Sequence, residues 1–329
     1  MLPRRPGGCR ASGTVAIVHV VIIGAGSLGS AIGGTLALAG HDVVLVTRNR
    51  AHVDAINRDG LRLDDGEVVH IAHPVADTEY RRHVTAELAI VLVKSFDTAD
   101  AVTAALPVID ETTTVLTLQN GVGCEEIIAG VVGADRLIAG RTYIGGRIVE
   151  PGVVEYGISG RTTTIGELDG AFDGEITPRI DRVAAAFRSA GMPTDVTTDI
   201  RSMMWEKLFV NVATGAWSAL TGLPYGELST QPDVERMAIA TVAEAIEVAR
   251  ALGVGVTTTD PSVPWRRAWE GLPHGFKASM LQSIEKGSRT EVDVMHGAVS
   301  RAGRQVGVAT PINDTLWALV RGLERRLEL

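Results

Sequence analysis

The chain has 329 residues, of which 45% are hydrophobic, so it is long enough for two domains and apolar enough to be globular rather than disordered. Its net charge of −8 argues against nucleic-acid binding, and no apolar run approaches the ~20 residues that a membrane-spanning helix needs. Two cysteines, Cys9 and Cys124, form neither a disulfide nor a metal-ligand pattern, so we predict free thiols, no metal site and a cytoplasmic location.

Residues 1–16 contain several prolines, glycines and arginines and precede the first predicted strand. An apolar run over 15–23 follows and could imitate the core of a signal peptide. Because that run ends in a glycine motif, it is better interpreted as a strand. We therefore expect residues 1–16 to be a flexible N-terminal extension.

The first regular unit is predicted as a strand over 18–23, a helix over 27–39 and a strand over 42–47, a βαβ arrangement. Its β-branched first strand runs directly into a glycine turn, and the turn opens the helix. This order is typical of the first unit of a dinucleotide-binding domain.

The turn between that strand and helix carries glycines with the spacing G-x-G-x-x-G. Gly24 permits a tight turn, Gly26 lets a pyrophosphate approach the backbone, and Gly29 lets the helix lie close to the strand. The N-terminus of the helix adds free N–H groups and the positive end of its dipole. We therefore predict that a dinucleotide cofactor binds the segment Gly24-Ala25-Gly26-Ser27-Leu28-Gly29.

The end of the second strand indicates which dinucleotide binds. An NAD site usually places Asp or Glu here for the free ribose 2′-hydroxyl, whereas this chain has Thr47-Arg48-Asn49-Arg50. Arg48 suits a 2′-phosphate, because a guanidinium offers both charge and a planar set of donors. We therefore favour NADP(H) over NAD(H), with a solvated arginine at a helix start as the alternative.

Two later strands end in polar residues. A buried strand over 88–93 is followed by Lys94, and a strand over 114–118 is followed by Gln119 and Asn120. Because ligands bind off the carboxyl ends of the strands in an open α/β sheet, we expect Lys94 and Asn120 to lie at the site. Ordinary loop polarity is the alternative for each.

Two hairpins, a helix and a strand complete the predicted first domain. Hairpins are indicated over 61–71 and around Pro151-Gly152, a helix over 176–190 and a strand over 192–196. We therefore expect a Rossmann-type, α/β NADP-binding domain over 17–198.

The chain changes character after this domain. All five tryptophans lie beyond residue 200, and no alternating strand pattern follows. We therefore predict an all-helical substrate and catalytic domain over 199–329, whose apolar helices could support a homodimer. Its predicted helices cover 200–219, 231–252, 262–270, 276–286, 290–306 and 311–327.

Lys207 and Asn211 lie four residues apart in the first of these helices and therefore share one face. The nearby Met203, Leu208 and Val212 make Lys207 a candidate for partial burial. From this helix alone, a lysine with its head group in water is the more common arrangement.

Two polar residues further along also have simple structural interpretations. The segment from Ser288 to Glu291 fits a capping box, which would occupy the Glu291 carboxylate with backbone donors of the next helix. Ser279 fits equally well as a plain surface residue of its own helix.

Together, these motifs resemble the ketopantoate reductase family, also called 2-dehydropantoate 2-reductase, over about residues 18–325. The motifs of the helical domain are far more specific than the glycine motif. The segments that carry the resemblance are, in family order, Gly24-Ala25-Gly26-Ser27-Leu28-Gly29, Val93-Lys94-Ser95, Leu118-Gln119-Asn120-Gly121, Trp205-Glu206-Lys207-Leu208-x-x-Asn211, Lys277-Ala278-Ser279-Met280-Leu281-Gln282, Arg289-Thr290-Glu291-Val292-Asp293 and Thr310-Pro311-x-Asn313.

The resemblance implies an enzyme that reduces ketopantoate, a small 2-keto acid, to pantoate with NADPH, on the pathway to pantothenate and coenzyme A. Hydride from C4 of the nicotinamide would attack the 2-keto carbon. Lys207 matches the family's proposed general acid, which would stabilise the developing oxyanion and give it a proton. Partial desolvation would bring the pKa of such a lysine toward the working range.

The resemblance implies roles for the other polar positions as well. Glu291 matches a glutamate that helps to place the lysine or the substrate. Asn120 and Asn211 would donate or accept hydrogen bonds near the nicotinamide and the substrate, and Ser279 would bind the substrate. Lys94 would approach a cofactor phosphate or the substrate carboxylate, and Lys94, Asn120 and Glu291 are all expected to border the cofactor.

One position departs from the family pattern. Members typically carry a second asparagine four residues after Asn211, where this chain has Gly215, with Trp217 nearby. Loss of one ordinary hydrogen bond to a substrate hydroxyl would cost ~0.5–1.5 kcal/mol. Two alternatives therefore stay open: a paralogous NADPH-dependent reductase of another 2-keto acid or ketone, and a non-enzymatic NADP(H)-binding sensor.

Overall fold

The computed structural model describes residues 17–157, 161–168 and 176–329. The extension expected over 1–16 lies outside these residues. In the described part, the strands are β1 (His19–Ile23), β2 (Asp42–Val46), β3 (Leu61–Asp64), β4 (Val69–Ala72), β5 (Val75–Asp77), β6 (Leu88–Val91), β7 (Thr114–Thr117), β8 (Leu137–Thr142), β9 (Gly145–Glu150), β10 (Val153–Gly157), β11 (Thr163–Glu167) and β12 (Thr194–Thr197).

The helices divide into those that accompany the strands and those that follow the last strand. The α-helices are α1 (Ser27–Leu38), α2 (Arg50–Asp59), α3 (Thr98–Ala105), α4 (Cys124–Val132), α5 (Pro178–Ser189), α6 (Ile200–Thr221), α7 (Tyr225–Leu228), α8 (Pro232–Ala251), α9 (Ser262–Arg267), α10 (Ser279–Glu285), α11 (His296–Val306) and α12 (Pro311–Arg326). Short 3-10 helices lie at Ser95–Asp97, Leu106–Val108, Ala134–Arg136 and Val292–Val294.

The larger sheet has eight strands in the order β12-β11-β8-β7-β6-β1-β2-β5. All neighbours in it are parallel except β8 and β11. Its central strands are runs of valine and isoleucine because helices cover both faces, and Val20 to Ile23 are completely buried. Since β2 and β6 pair with opposite edges of β1, the strand order reverses at β1, where open α/β sheets bind ligands.

A second, four-stranded sheet lies over α1. Both predicted hairpins are confirmed, as the antiparallel pairs β3–β4 and β9–β10. A parallel pairing of β3 with β10 joins the two hairpins into one sheet. Because these strands are about ninety residues apart in the chain, local turn signals carried no sign of this pairing. β5, at the edge of the larger sheet, is a strand that the sequence pattern had not indicated.

The second half of the chain is built around α6. Asp199 caps this helix by accepting a hydrogen bond from Ser202 N at 3.1 Å, and Gly222 ends it in a left-handed conformation. One side of α6 packs against α8, α9, α10 and α12, and the other side reaches β8 and β11 of the large sheet. No strand occurs within residues 199–329, all of which are described, so the predicted Rossmann-type fold followed by helices is confirmed.

The helix predicted over 290–306 is wrong in its first turn. The chain instead forms a 3-10 helix over Val292–Val294, and α11 begins at His296. The backbone there is committed to other partners: Thr290 N donates to Glu324, and Val294 O accepts from Val122 N at 3.1 Å. These contacts to distant elements override the local capping pattern. No described helix is both long enough and apolar enough to cross a bilayer.

Candidate active site

The glycine turn after β1 is held rigidly against its neighbours. Gly24 has φ +99°, and a Cβ there would lie 2.6 Å from Val93 N, so only glycine fits. The N–H groups of Gly24 and Ala25 both donate to Val46 O, at 3.1 and 2.9 Å. A Cβ on Gly29 would collide with Gly24 O, which explains the close packing of α1 on the strand. The predicted mechanical roles of these two glycines agree with this geometry.

Gly26, by contrast, faces open space. A Cβ built on Gly26 meets no atom of the described residues within 4 Å, and Gly26 is the N-cap of α1. The site therefore has room where a pyrophosphate would approach, next to the positive end of a helix dipole. Ser27, at the first position of α1, has its hydroxyl occupied by Ile148 N at 3.2 Å, which ties the small sheet to this end of the helix. These residues fit a dinucleotide.

Arg48 extends from the end of β2 into solvent. Its side chain is 85% exposed, and its Nη2 lies 2.5 Å from Asp97 Oδ2, in the turn that follows β6. The guanidinium thus stands beside the glycine turn at the two strand ends that flank β1. The N-cap of α2 is Asn49 rather than Arg48, since Asn49 Oδ1 accepts from His52 N at 3.2 Å. Arg48 is therefore available to a cofactor phosphate, and its role as a phosphate ligand stays a prediction.

Lys207 is fixed by the opposite half of the chain. Its Nζ, carried on α6, donates to Asn120 Oδ1 at 2.8 Å and to Thr142 O at 2.7 Å. It also lies 5.6 Å from the centroid of the Tyr143 ring. The expectation that its head group sits in water is wrong, because the loops after β7 and β8 close over the ammonium.

This enclosure changes the acidity of Lys207. Burial, with a smaller contribution from the positive charge of Arg141, lowers the pKa of the Lys207 ammonium to about 8, while the carboxylate of Glu291 acts in the opposite direction. An ammonium with this pKa is charged at neutral pH and can still release its proton. This combination is what a general acid needs.

Glu291 joins the two halves of the chain. Its buried carboxylate accepts a hydrogen bond from Lys94 Nζ at 2.9 Å and from Ser95 N at 3.2 Å. The capping-box interpretation of Glu291 is therefore wrong. The structure brings Lys94 and Glu291 together as an ion pair. Glu291 acts on Lys207 through the negative charge of its carboxylate, which raises the pKa of the lysine, rather than through a hydrogen bond.

Asn211 lies one turn after Lys207 on α6. Its Nδ2 is buried and has no hydrogen-bond partner among the described residues. A buried amide donor without a partner carries a desolvation cost of ~1–3 kcal/mol, which a ligand acceptor would remove. One further turn along, Gly215 is buried, and a Cβ on it would meet only Met280 of α10, at 3.3 Å from Cε.

Ser279 begins α10, the helix that packs against α6. It is exposed, and its carbonyl accepts from Ser283 Oγ at 3.1 Å. The surface-residue interpretation describes this environment, and a substrate contact stays a prediction.

Sequence reasoning missed three residues of the site, which lie at the end of β8. Thr142 contributes a backbone carbonyl to Lys207, so its side-chain type left no signal. Tyr143 places its ring against the ammonium, and the guanidinium carbon of Arg141 lies 5.6 Å from the same ring centroid. A basic and an aromatic residue at the end of a central strand are the signal that could have identified them.

The fold and the site together define a class of protein: a dinucleotide-dependent oxidoreductase with a Rossmann-type half, and a helical half that contributes a buried lysine. The chain matches the family model described as ketopantoate reductase PanE/ApbA over residues 20–170 and that of its C-terminal part over residues 199–324. The chain therefore belongs to the ketopantoate reductase family.

Relatives are similar over nearly their full length. A 2-dehydropantoate 2-reductase of Halobacterium salinarum is 38% identical, over 94% of this chain and 99% of the relative. The crystal structure of a PanE/ApbA family ketopantoate reductase from Ralstonia eutropha superposes with a TM-score of 0.85 at 33% identity, over 94% and 100% of the two chains. A D-mandelate dehydrogenase in complex with NADH superposes with a TM-score of 0.83 at 25% identity, over 94% and 99%.

Proposed function

We propose that this protein reduces 2-dehydropantoate to pantoate with NADPH, as a step toward pantothenate and coenzyme A. The observation that carries the proposal is the environment of Lys207. Its ammonium is held between Asn120 and the Thr142 carbonyl, at the sheet edge where the glycine turn lies. Relatives at 33–38% identity that are named for this reaction support it.

In the proposed mechanism, Lys207 faces the keto oxygen of the substrate. A nicotinamide held by the glycine turn would supply the hydride for the 2-keto carbon. As negative charge builds on the keto oxygen, the Lys207 ammonium stabilises it and then transfers a proton to it. Asn120 holds the ammonium in place, and the unpartnered Nδ2 of Asn211 donates to the substrate.

The remaining residues of the site support binding. Gly24 to Gly29 would hold the pyrophosphate, with the 2′-phosphate on Arg48. Glu291 holds Lys94 at the cofactor edge of the site, where Lys94 would meet a phosphate or the substrate carboxylate. Ser279 would bind the substrate from α10.

We also propose bounds for the two halves, a class of substrate, a location and an assembly. The cofactor half covers residues 17–198 and the catalytic half covers 199–329. The partner is a small 2-keto acid, the location is the cytoplasm, where NADPH and reduced thiols are maintained, and two copies associate through the apolar helices.

A steady-state assay with NADPH and NADH against 2-dehydropantoate tests cofactor and substrate together. We expect oxidation of NADPH that depends on the keto acid, with a lower kcat/KM for NADH. Tight NADPH binding without turnover over a panel of keto acids would contradict the proposal and favour a sensor.

Gly215 favours a second candidate, the reduction of a bulkier 2-keto acid. The row Lys207, Asn211, Gly215 on α6 ends in a residue with no side chain, so the site has one polar group fewer there and the Met280 side chain beside it instead. The D-mandelate dehydrogenase in complex with NADH, which has the same overall fold, is named for a 2-hydroxy acid with an aromatic ring. Phenylglyoxylate, the keto acid of mandelate, is the corresponding test substrate.

Gly215→Asn separates these candidates. Among the described residues, the Cβ of the new side chain would lie closest to Met280 Cε, at 3.3 Å, so the flexible end of Met280 must shift slightly for the fold to tolerate the change. We expect kcat/KM for 2-dehydropantoate to rise by up to about tenfold through one additional hydrogen bond, and turnover of phenylglyoxylate to fall. If wild-type protein instead reduces phenylglyoxylate with a higher kcat/KM than 2-dehydropantoate, and Gly215→Asn reverses that order, the second candidate is correct.

A further inference from the structure

A cavity of about 350 Å³ opens beside Lys207. It lies between the end of β8, the exposed edge of α6 and the end of α9. The residues that line it are Arg141, Tyr143, Glu206, Val210, Arg267 and Glu270. Among them, Arg141 combines a positive charge with a fixed position close to the ammonium.

Arg141 and Lys207 share one aromatic ring. The guanidinium carbon and the Lys207 Nζ each lie 5.6 Å from the centroid of Tyr143. Thr142, the residue between Arg141 and Tyr143, gives its carbonyl to the Lys207 ammonium at 2.7 Å. Three consecutive residues at the end of β8 therefore bring both cations to one aromatic ring.

Only part of the Arg141 guanidinium is hydrogen-bonded within the described residues. Its Nη1 donates to Tyr143 Oη at 3.4 Å, and its buried Nε has no hydrogen-bond partner within the described ranges. Two like charges held on one ring in a partly desolvated place repel each other, and the repulsion is relieved when one of them loses its proton. Because a guanidinium does not release its proton in this pH range, the lysine is the group that must respond.

We propose that Arg141 is a positioning residue for Lys207, an inference that rests on the proposed function. Its guanidinium holds a second positive charge against the ring that the ammonium contacts, and so primes the lysine to give its proton to the keto oxygen.

The other groups that face Lys207 are consistent with this role. Asn120 and the Thr142 carbonyl are neutral acceptors. From the helical half, Glu291 draws the pKa of Lys207 upward, against the lowering by burial and by Arg141, and Glu291 is itself paired with Lys94.

On the cavity side, two acidic residues could compensate Arg141 but are placed elsewhere. Glu206, next to Lys207 on α6, accepts hydrogen bonds from Thr257 N at 2.7 Å and Thr258 N at 2.8 Å. Glu270 and Arg267 are exposed residues of opposite charge at the far wall of the cavity. The charges that act on the pKa of Lys207 are those of Arg141, which lowers it, and Glu291, which raises it.

Arg141→Met, which keeps length and removes charge, tests the proposal. We expect the pKa of Lys207 to rise, because the positive charge that lowers it is removed, and this moves the alkaline limb of the kcat profile to higher pH. The same pKa can be read without substrate or cofactor, from the pH dependence of trace acetylation of Lys207 by acetic anhydride, quantified by mass spectrometry. This labelling keeps the result separate from the proposed function, which fails only if wild-type protein does not reduce 2-dehydropantoate.

Three further variants serve as controls for this measurement. Arg141→Lys keeps the charge and should restore the wild-type titration, and Arg141→Gln is a second neutral variant in case Arg141→Met does not fold. Arg147→Met removes an exposed arginine of β9 that pairs with Glu155 and should leave the titration unchanged. The proposal is overturned if Lys207 titrates at the wild-type pH in both neutral variants, or if Arg141→Lys behaves as they do.

Discussion

The ammonium of Lys207, the general acid of the proposed mechanism, is surrounded by groups that act on its proton in opposite directions. Three of its neighbours act on its proton: the amide of Asn120 and the carbonyl of Thr142 hold the charged form, while Arg141 disfavours it. Burial is the largest influence, and it brings the pKa to about 8. The lysine thus has the acidity that proton transfer near neutral pH requires.

The kcat profile should therefore fall on the alkaline side. As the pH rises through about 8, the Lys207 ammonium of the free protein loses its proton, so kcat/KM decreases with an apparent pKa near that value, and kcat decreases as the same ammonium is titrated in the substrate complex. In Lys207→Ala we expect kcat to fall by ~10²–10⁴, the usual contribution of a general acid. Full activity in this variant would remove Lys207 from the mechanism, and an unchanged NADPH Kd serves as the control for folding.

At the scale of elements, the β1–α1 turn shows two glycines with different physical requirements. Gly29 is required by packing, because any side chain there would meet the carbonyl of Gly24. Gly26 has free space around it in the protein alone, so its requirement comes from the ligand. The sequence motif requires glycine at both positions and does not say why. Only the surroundings of each residue show that packing is the reason at Gly29 and ligand approach the reason at Gly26.

Replacing each of these glycines with alanine should separate stability from binding. For Gly26→Ala we expect the free energy of unfolding to stay within about 0.5 kcal/mol of wild type, since Gly26 already has φ −78°. Its NADPH Kd should rise by about tenfold or more, because the methyl group occupies the approach of the pyrophosphate.

Gly29→Ala should lose about 1–3 kcal/mol of stability through overpacking. Urea denaturation and NADPH fluorescence titration measure the two quantities, and equal destabilisation by both variants would contradict this assignment.

At the scale of the whole molecule, the site exists only where the two halves meet. Glu291 from the helical half accepts hydrogen bonds from Lys94 and Ser95 after β6, and the loop after β7 reaches Val294. Gly121 is needed at this contact, because its φ is +83° and a Cβ would collide with the Val294 carbonyl. The residues of the site are therefore positioned by contacts between halves rather than within either one.

Glu291→Gln should weaken this junction. The variant keeps an acceptor for Ser95 but loses the charged hydrogen bond to Lys94, at a cost of about 1.5–3 kcal/mol in the free energy of unfolding. It should also lower the pKa of Lys207, since Glu291 raises it, so the alkaline limb of kcat moves to lower pH, opposite to the shift expected for Arg141→Met.

Glu285→Gln provides the matched control for that variant. It removes a carboxylate from an exposed ion pair with Lys277, and exposed pairs contribute ~0–1 kcal/mol. Similar stability losses in both variants would contradict the stabilising role of the junction, and a Lys207 titration that does not respond to Glu291→Gln would show that Glu291 does not act on the lysine.

The sequence by itself determined the parts of the protein whose causes are local. The glycine spacing after a β-branched strand predicted the turn, the spacing of Lys207 and Asn211 predicted a shared helix face, and turn residues predicted both hairpins. Local backbone preferences and side-chain periodicity depend on neighbours within a few residues, so a single chain is enough to identify them.

The tertiary structure decided which of these parts meet. The pairing of β3 with β10, the burial of the Lys207 ammonium and the ion pair of Lys94 with Glu291 all join residues far apart in the chain. Glu291 is an example. Its local sequence fits a helix cap, but the ion pair with Lys94, which is distant in the chain, takes the carboxylate instead. Arg141 and the Thr142 carbonyl became visible only when folding placed them against the lysine, because charge and desolvation act through space rather than along the chain.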